Sequence, residues 1–205
     1  MRVNLDIFAS RITTMINLVL FGKPGAGKGT QAAFIKEHFG LFHISTGDLF
    51  RHHIKNGTPL GKMAQSYMDK GDLVPDQVTI DMLENAVDEN PEAKGFIFDG
   101  FPRTTAQAEA LDTFLATKEM TITGTIALEA PDEMLIERLL ERGKDSGRAD
   151  DQDTEKIKNR FEEYSTKTAP LRAYYQGQNK FYQIDGVGDI TAITQRLITC
   201  IQGLL

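Results

Sequence analysis

Residues 16–30 read INLVLFGKPGAGKGT: a short, mostly apolar run, then a cluster of glycines, then the start of a helical pattern. An apolar run of this length reads as a buried strand. In the cluster that follows, Gly22, Gly27 and Lys28 stand in the spacing GxxxxGK. Glycines suit this place because the backbone must curl with its N–H groups pointing inward. Those donors and the N-terminus of the next helix together cradle a polyphosphate, and Lys28 adds a positive charge that can travel with a transferred phosphoryl group. The strand before and the helix after are the context this spacing requires. The residue after the lysine is Gly29, and a hydroxyl comes only one place later, on Thr30. The usual magnesium ligand of such loops is thus displaced or absent. The metal is expected to be held mainly by phosphates and waters, which suits magnesium's reluctance to dehydrate.

Working outward from the loop, short apolar runs alternate with longer helical stretches, as in a parallel α/β sheet. Strands are expected at 16–21, 41–44, 96–98, 121–128 and 181–184. Helices are expected at 28–39, over 46–88 with interruptions at 57–59 and 71–75, at 104–118, and from Pro131 to about 142. A further helical stretch breaks near Pro170, and a last helix covers 189–202. The fold class this implies is α/β: a three-layer P-loop NTPase-type fold around a central parallel five-stranded sheet. Two segments depart from plain alternation, a helical insert at about 45–74 and a polar loop at 143–151. Extra material between sheet elements is often functional, and both segments flank the glycine loop.

Composition limits the alternatives. The chain has 205 residues, enough for one domain with insertions and for a core without disulfides. Its net charge of −6 argues against a nucleic-acid partner, though not against a small polyanion. No run approaches the roughly 20 apolar residues that span a bilayer, so no membrane partner is expected. Cys200 stands alone, which fits a reducing, cytoplasmic setting and excludes a CxxC zinc site. Residues 1–14 carry two arginines and an apolar stretch too short for a secretory segment. They are expected to be a dispensable extension or a misplaced start before a single domain at 15–205, and a monomer is expected in the absence of a surplus apolar face.

The strand at 96–98 ends in Asp99, and ligands of open α/β sheets bind at that edge. Asp99 is therefore expected to orient magnesium through water. Of only ten arginines, Arg51, Arg103, Arg138, Arg142, Arg148 and Arg160 lie in or beside the elements that face the glycine loop. Arg138 and Arg142 are four apart on a helix and share a face. Guanidinium forks match phosphate oxygens in pairs and keep their charge. Phosphoryl transfer needs positioning and positive charge rather than a covalent nucleophile, and this set supplies both. His38, His43, His52 and His53 have no metal-binding spacing and are read as structural or surface residues.

Five segments in this order, GKPGAGKGT, ISTGDLFR, FDGFPRTTAQ, ERLLERG, and SGRADDQ with a later NRFEEY, resemble the adenylate kinase family over about residues 15–203. The resemblance implies a monophosphate-binding insert, a short lid at about 143–151, and transfer from MgATP to AMP giving two ADP. On the ATP side it implies Gly25, Ala26, Gly27, Lys28, Gly29, Thr30, Arg138, Arg142 and Gly188, with Arg138 against the adenine and Arg142 on the phosphates. On the AMP side it implies Thr46 and Gln107 near the base and Arg51 and Arg103 on the phosphate, with Gly47, Val74, Gly100, Arg148 and Arg160 beside them. Lys28, Arg103, Arg142, Arg148 and Arg160 would carry the transfer, and Asp150 and Asp151 would hold a closed lid through arginines. An amide at Gln107 can both donate to and accept from an adenine edge. Related UMP/CMP kinases carry Asn at that place and Ala at the place of Thr46, so the resemblance favours AMP. Lys23, where the family often has proline, should point away from the phosphates. The lid is too short for a zinc site. The remaining alternatives are a UMP/CMP kinase and a non-catalytic nucleotide sensor.

Overall fold

The computed structural model describes residues 15–205. The extension at 1–14 lies outside the described residues. Five strands, β1 (Ile16–Phe21), β2 (Phe42–Ser45), β3 (Gly95–Asp99), β4 (Gly124–Glu129) and β5 (Phe181–Asp185), form one all-parallel sheet in the order β2-β3-β1-β4-β5. The α/β class and the five-stranded sheet are as the sequence implies. Parallel strands are covered on both faces, so they read as continuous apolar runs rather than alternating ones. Alternate residues of β1 accordingly serve two cores. Leu18 and Leu20 pack with Ile35, Leu139 and Leu197 on one side, while Val19 and Phe21 pack with Phe98, Leu111 and Leu115 on the other.

The helices on these faces are α1 (Lys28–Phe39), α5 (Thr105–Thr117), α6 (Asp132–Ser146), α8 (Leu171–Gln176) and α9 (Ile190–Gln202). Between β2 and β3 lie α2 (Thr46–Lys55), α3 (Pro59–Met68) and α4 (Asp76–Asp88). The breaks expected at 57–59 and 71–75 fall where they should. Thr58 caps α3 by accepting from Gly61 N, and Pro59 follows in the first turn, where its missing N–H is no loss. A small third core of Phe50, Ala64 and Val74 joins α2, α3 and α4.

Two expectations need correction. The fourth strand was expected from 121, but pairing begins only at Gly124, opposite Leu18. The reason is Asn17, fully buried, whose Nδ2 donates to Thr121 O while its Oδ1 accepts from Phe96 N. This side chain holds the approach to β4 together with main-chain contacts of Asn17 to Thr123, whose N–H donates to Asn17 O at 2.8 Å and whose Oγ1 accepts from Asn17 N at 3.0 Å. The segment 143–151 was expected as a loop, yet α6 runs on to Ser146 and a 3₁₀ turn covers Ala149–Asp151. Gly143 does not stop the helix but stays helical, buried where a Cβ would stand 2.8 Å from Asp151 O, and the stop comes at Gly147, which adopts the left-handed cap conformation. After α7 (Thr154–Glu163) a π turn at Tyr164–Thr168 leads to Pro170 and α8.

Candidate active site

Strands β1 and β3 lie side by side and end together, with Leu20 opposite Asp99. The glycine loop leaves β1 at this edge and turns into α1, whose first residue is Lys28. Gly25 has φ +87°, and a Cβ there would stand 2.7 Å from Leu135 O of α6, so only glycine lets the loop and α6 approach. No side chain caps α1 and no acidic residue sits in its first turn. The helix therefore presents bare N–H donors to the cleft, an arrangement suited to an anion. The Lys28 Nζ folds back to donate to Gly22 O (2.7 Å) and Lys23 O (3.3 Å). Burial pushes its pKa down to about 8. Asp99 opposes this, while Arg103, Arg160 and Arg142 add to it. Lys23 itself points to Asp132, 2.7 Å away on α6, as expected for a residue facing away from the phosphate seat.

A cleft of about 910 Å³ opens over this edge. Of the residues singled out from the sequence, Gly25, Ala26, Gly27, Lys28, Gly29, Thr30, Gly47, Arg51, Asp99, Gly100, Arg103, Arg138, Arg142, Arg148, Arg160 and Gly188 all line it. Seven cationic side chains face three carboxylates, Asp48, Asp99 and Asp189, within a chain of net charge −6. That local excess is what a polyanion site requires. Arg142 of α6 holds Asp151 with two hydrogen bonds, Nε to Oδ2 (2.7 Å) and Nη2 to Oδ1 (2.9 Å). Arg160 of α7 reaches the same carboxylate at 2.6 Å and Asp150 at 2.9 Å. Burial pushes the Asp151 carboxyl up, but the bonds and charges of Arg142 and then Arg160 outweigh it and hold the group below the usual range. Arg103 has only backbone support, its Nε on Gly100 O at 2.7 Å. Burial, then Arg160, bring it down to about 10. Asp48 lies 2.5 Å from Arg51 and 3.6 Å from Arg148, so one carboxylate steadies two of the cleft's guanidiniums. Arg138 donates to Gly186 O at 3.3 Å, beside Gly188.

Asp99 is 8% exposed at the end of β3, with His43 Nε2 3.5 Å from its Oδ2. His43, read from sequence as structural or surface, lines the cleft, and its Nε2 has no hydrogen-bond partner among the described residues. Among the described residues no group of three His, Cys, Asp or Glu side chains could cage a metal. The chemistry here suits an ion that keeps its water and phosphate ligands and meets the protein at Asp99.

Beside the main cleft a slot of about 40 Å³ is lined by Thr46, Val74, Gly100, Arg103 and Gln107 among others. It has room for a few waters rather than a base, so an occupant must widen it. Thr46 Oγ1 donates to Gly100 O at 2.9 Å. Gly100 has φ +76°, and a Cβ there would crowd Arg103 Nη2 and Thr46 Oγ1 at 3.0 and 3.1 Å. Gln107 Oε1 accepts from Arg103 N (2.7 Å) and its Nε2 donates to Asp76 Oδ1 (2.8 Å). Sequence reasoning missed Asp48, Asp76, Asp189 and His43. Asp48 could have been found as the i,i+3 partner of Arg51. The other three depend on strand register and helix docking.

A family model described as "Adenylate kinase" matches residues 20–180. The chain is similar to the adenylate kinase of Flavobacterium psychrophilum, at 65% identity over 190 residues covering 93% of this chain and all of that protein. It is similar to the adenylate kinases of Flavobacterium johnsoniae, at 62%, and Bacteroides fragilis, at 47%, each with the same coverage.

Proposed function

The chain belongs to the adenylate kinase family, and from that premise we propose that it moves the terminal phosphoryl group of MgATP directly onto AMP, giving two ADP, and runs the reaction in both directions. The observation that carries the reading is the gathering of Lys28, Arg103, Arg142 and Arg160 on one cleft beside the Gln107 slot, near enough that all three arginines act on the Lys28 charge. Two nucleotides brought phosphate to phosphate place several anionic oxygens together, and catalysis is then positioning plus charge. In this reading the bare N-terminus of α1 and Lys28 seat the donor phosphates. Arg138 and Gly188 flank the donor base. Arg51 and Arg103 hold the acceptor phosphate, and Thr46, Val74 and Gln107 hold its base. Arg142, Arg148 and Arg160 face the group in flight. Magnesium, when bound with ATP, would neutralise phosphate charge, and Asp99 would orient it through water. The insert at 45–74 and the lid at 143–151 would exclude water, so that transfer outruns hydrolysis. Adenylate kinase is itself a standard example of lid closure, so that point rests on the family. The exposed large apolar side chains among the described residues, Phe34, Leu140, Val187, Ile190 and Leu205, are few, in keeping with a monomer. No described helix is long and apolar enough to cross a membrane.

The test is to supply MgATP with AMP, UMP, CMP or GMP separately and count diphosphates by chromatography. The expected result is fastest formation with AMP and dependence on magnesium. Preference for UMP or CMP would overturn the acceptor. ATP loss independent of any acceptor would overturn the kinase reading.

A further inference from the structure

Asp76 is the first residue of α4 and does not line the slot, yet it holds the residue that does. Its Oδ1 accepts from Gln107 Nε2 at 2.8 Å, and its Oδ2 accepts from Thr104 Oγ1 at 2.9 Å. Thr104 in turn caps α5 by accepting from Gln107 N at 3.2 Å. On the other side, Gln107 Oε1 accepts from Arg103 N at 2.7 Å. Gln107 is 2% exposed, so its amide has little else to bond. The amide is thus fixed from both ends. The backbone N–H of Arg103 can only donate, so it takes the oxygen. A carboxylate facing two donors takes the NH₂ group. An amide oxygen has two lone pairs and the amide nitrogen two hydrogens, and one of each is spent here. One acceptor and one donor position are left for a ligand.

An adenine edge offers N1 as an acceptor and the 6-amino group as a donor. A hypoxanthine edge offers the reverse, N1–H as donor and O6 as acceptor, and would need the same amide turned over. We propose that Asp76 is a positioning residue that locks the Gln107 amide in the one orientation that reads adenine, and so sets the acceptor base. This rests on the AMP reading of the slot. The same carboxylate, through Thr104 and Gln107, ties α4 to the turn that carries Arg103. Base recognition and phosphate recognition of the acceptor thus share one hydrogen-bonded ring.

The experiment compares kcat/KM for AMP and for IMP, with MgATP as donor, in the wild type, Asp76→Ala and Asp76→Asn. Losing the carboxylate leaves the amide held only by the Arg103 N–H, a single bond that a hypoxanthine edge can compete against, so Asp76→Ala should lower the AMP-over-IMP ratio about tenfold or more, with KM for ATP within about twofold. Asp76→Asn keeps the shape but offers one acceptor to two donors, and its ratio should fall by about threefold or more. If Asp76→Ala does not fold, Asp76→Asn carries the comparison. A merely structural role would lower the melting temperature and leave the ratio within about twofold of wild type in the folded variants, and that result overturns the proposal. A wild type with no preference for AMP would overturn the reading of the acceptor, and this inference with it. A wild-type preference left intact in the variants overturns this inference alone.

Discussion

Lys28 should take up a proton when it receives a nucleoside triphosphate in mildly alkaline solution. In the empty cleft burial brings its pKa from 10.5 to about 8, and three arginines add to the effect against the opposing pull of Asp99. A bound triphosphate surrounds the ammonium with anionic oxygens and should return it at least to the ordinary value. At pH 9 about nine-tenths of empty sites would then be neutral, against about one in thirty of filled ones, so binding draws in about 0.9 proton. At pH 7 the same arithmetic gives about 0.1 proton. Between the two, the dissociation constant should rise about tenfold, or ~1.4 kcal/mol. The assay is calorimetric titration with MgATP and no acceptor, in buffers of different ionisation enthalpy at each pH. The phosphate's own last pKa, near about 6, leaves the ligand fully charged at pH 9. Lys28→Arg keeps the charge but titrates far higher, so its uptake at pH 9 should vanish. An uptake below about 0.2 proton in the wild type at pH 9, or the same uptake in Lys28→Arg, would refute the reasoning. The sign for stability follows. The folded value lies below the unfolded one, so the charged lysine weakens the fold below pH 8, and the deficit, at most about 3 kcal/mol, is recovered as pH rises to about 10.5.

Replacing Arg142 or Arg103 by Ala should lower kcat about 10²–10⁴-fold, or ~3–5 kcal/mol, with the melting curve little changed for Arg103→Ala and lowered for Arg142→Ala, which takes two bonds from the buried Asp151; losses in kcat under about fivefold in both would remove these side chains from the transition state. Asp151→Asn leaves Arg142 and Arg160 facing a neutral amide and should cost about 3 kcal/mol in denaturant unfolding, the low end for a broken buried pair because Arg142 keeps contact with water. The Asp151 carboxyl is held below 3.8, so its stabilisation is complete above about pH 4 and is lost as pH falls through its folded value. Acid titration of Asp151→Asn should therefore be flatter over that range than the wild type's, and an equal slope would count against the assignment. Asn17→Ala removes the side chain that joins β3 to the approach of β4 and should destabilise by about 2–4 kcal/mol with KM for both nucleotides within about twofold, as denaturant melts and steady-state kinetics can check.

How far the sequence reached can be judged from particular residues. The sheet was legible because parallel strands are buried on both sides and their apolar runs stand out at 16–21 and 96–98. Helix breaks were legible at Thr58-Pro59 because cap and proline chemistry is local. The start of β4 was not, because the carbonyl of Thr121 is taken by the side chain of Asn17, more than a hundred positions away. The end of α6 was misplaced because Gly143 and the polar residues after it read as a stop, whereas Gly143 stays helical to let Asp151 approach and the left-handed cap falls at Gly147. In the site, residues on the glycine loop and the strand end could be placed directly, the six arginines could be singled out as a set, and the resemblance supplied their separate roles. Asp76 escaped both routes, since its partners Thr104 and Gln107 lie 28 and 31 positions away and meet it only when α4 docks on α5.

The cleft's cations fall into two classes, and the difference bears on how an acidic chain can keep such a site ready. Among the described residues Lys28, Arg103 and Arg138 have no carboxylate partner at salt-bridge distance and rest on backbone carbonyls. Lys28 and Arg103 are the two cations lowered furthest, to about 8 and about 10. A carbonyl cannot satisfy a full charge, so both gain most from an incoming phosphate, and they mark where bound phosphates should sit. Arg142, Arg160, Arg51 and Arg148 are instead held by Asp151, Asp150 and Asp48. Their carboxylates stand in for phosphate oxygens, which keeps mutually repelling guanidiniums from splaying the cleft apart before any nucleotide arrives. Asp151, fully buried and bonded by both arginines, is fixed; Asp48, far more exposed and only 3.6 Å from Arg148, is easily left behind. In the proposed reaction Arg148 would exchange Asp48 for a phosphate at little cost, while Arg142 and Arg160 would share their charge between Asp151 and the reacting group. An array held in place before the reaction loses little to reorganisation during it, which is where electrostatic catalysis gains most.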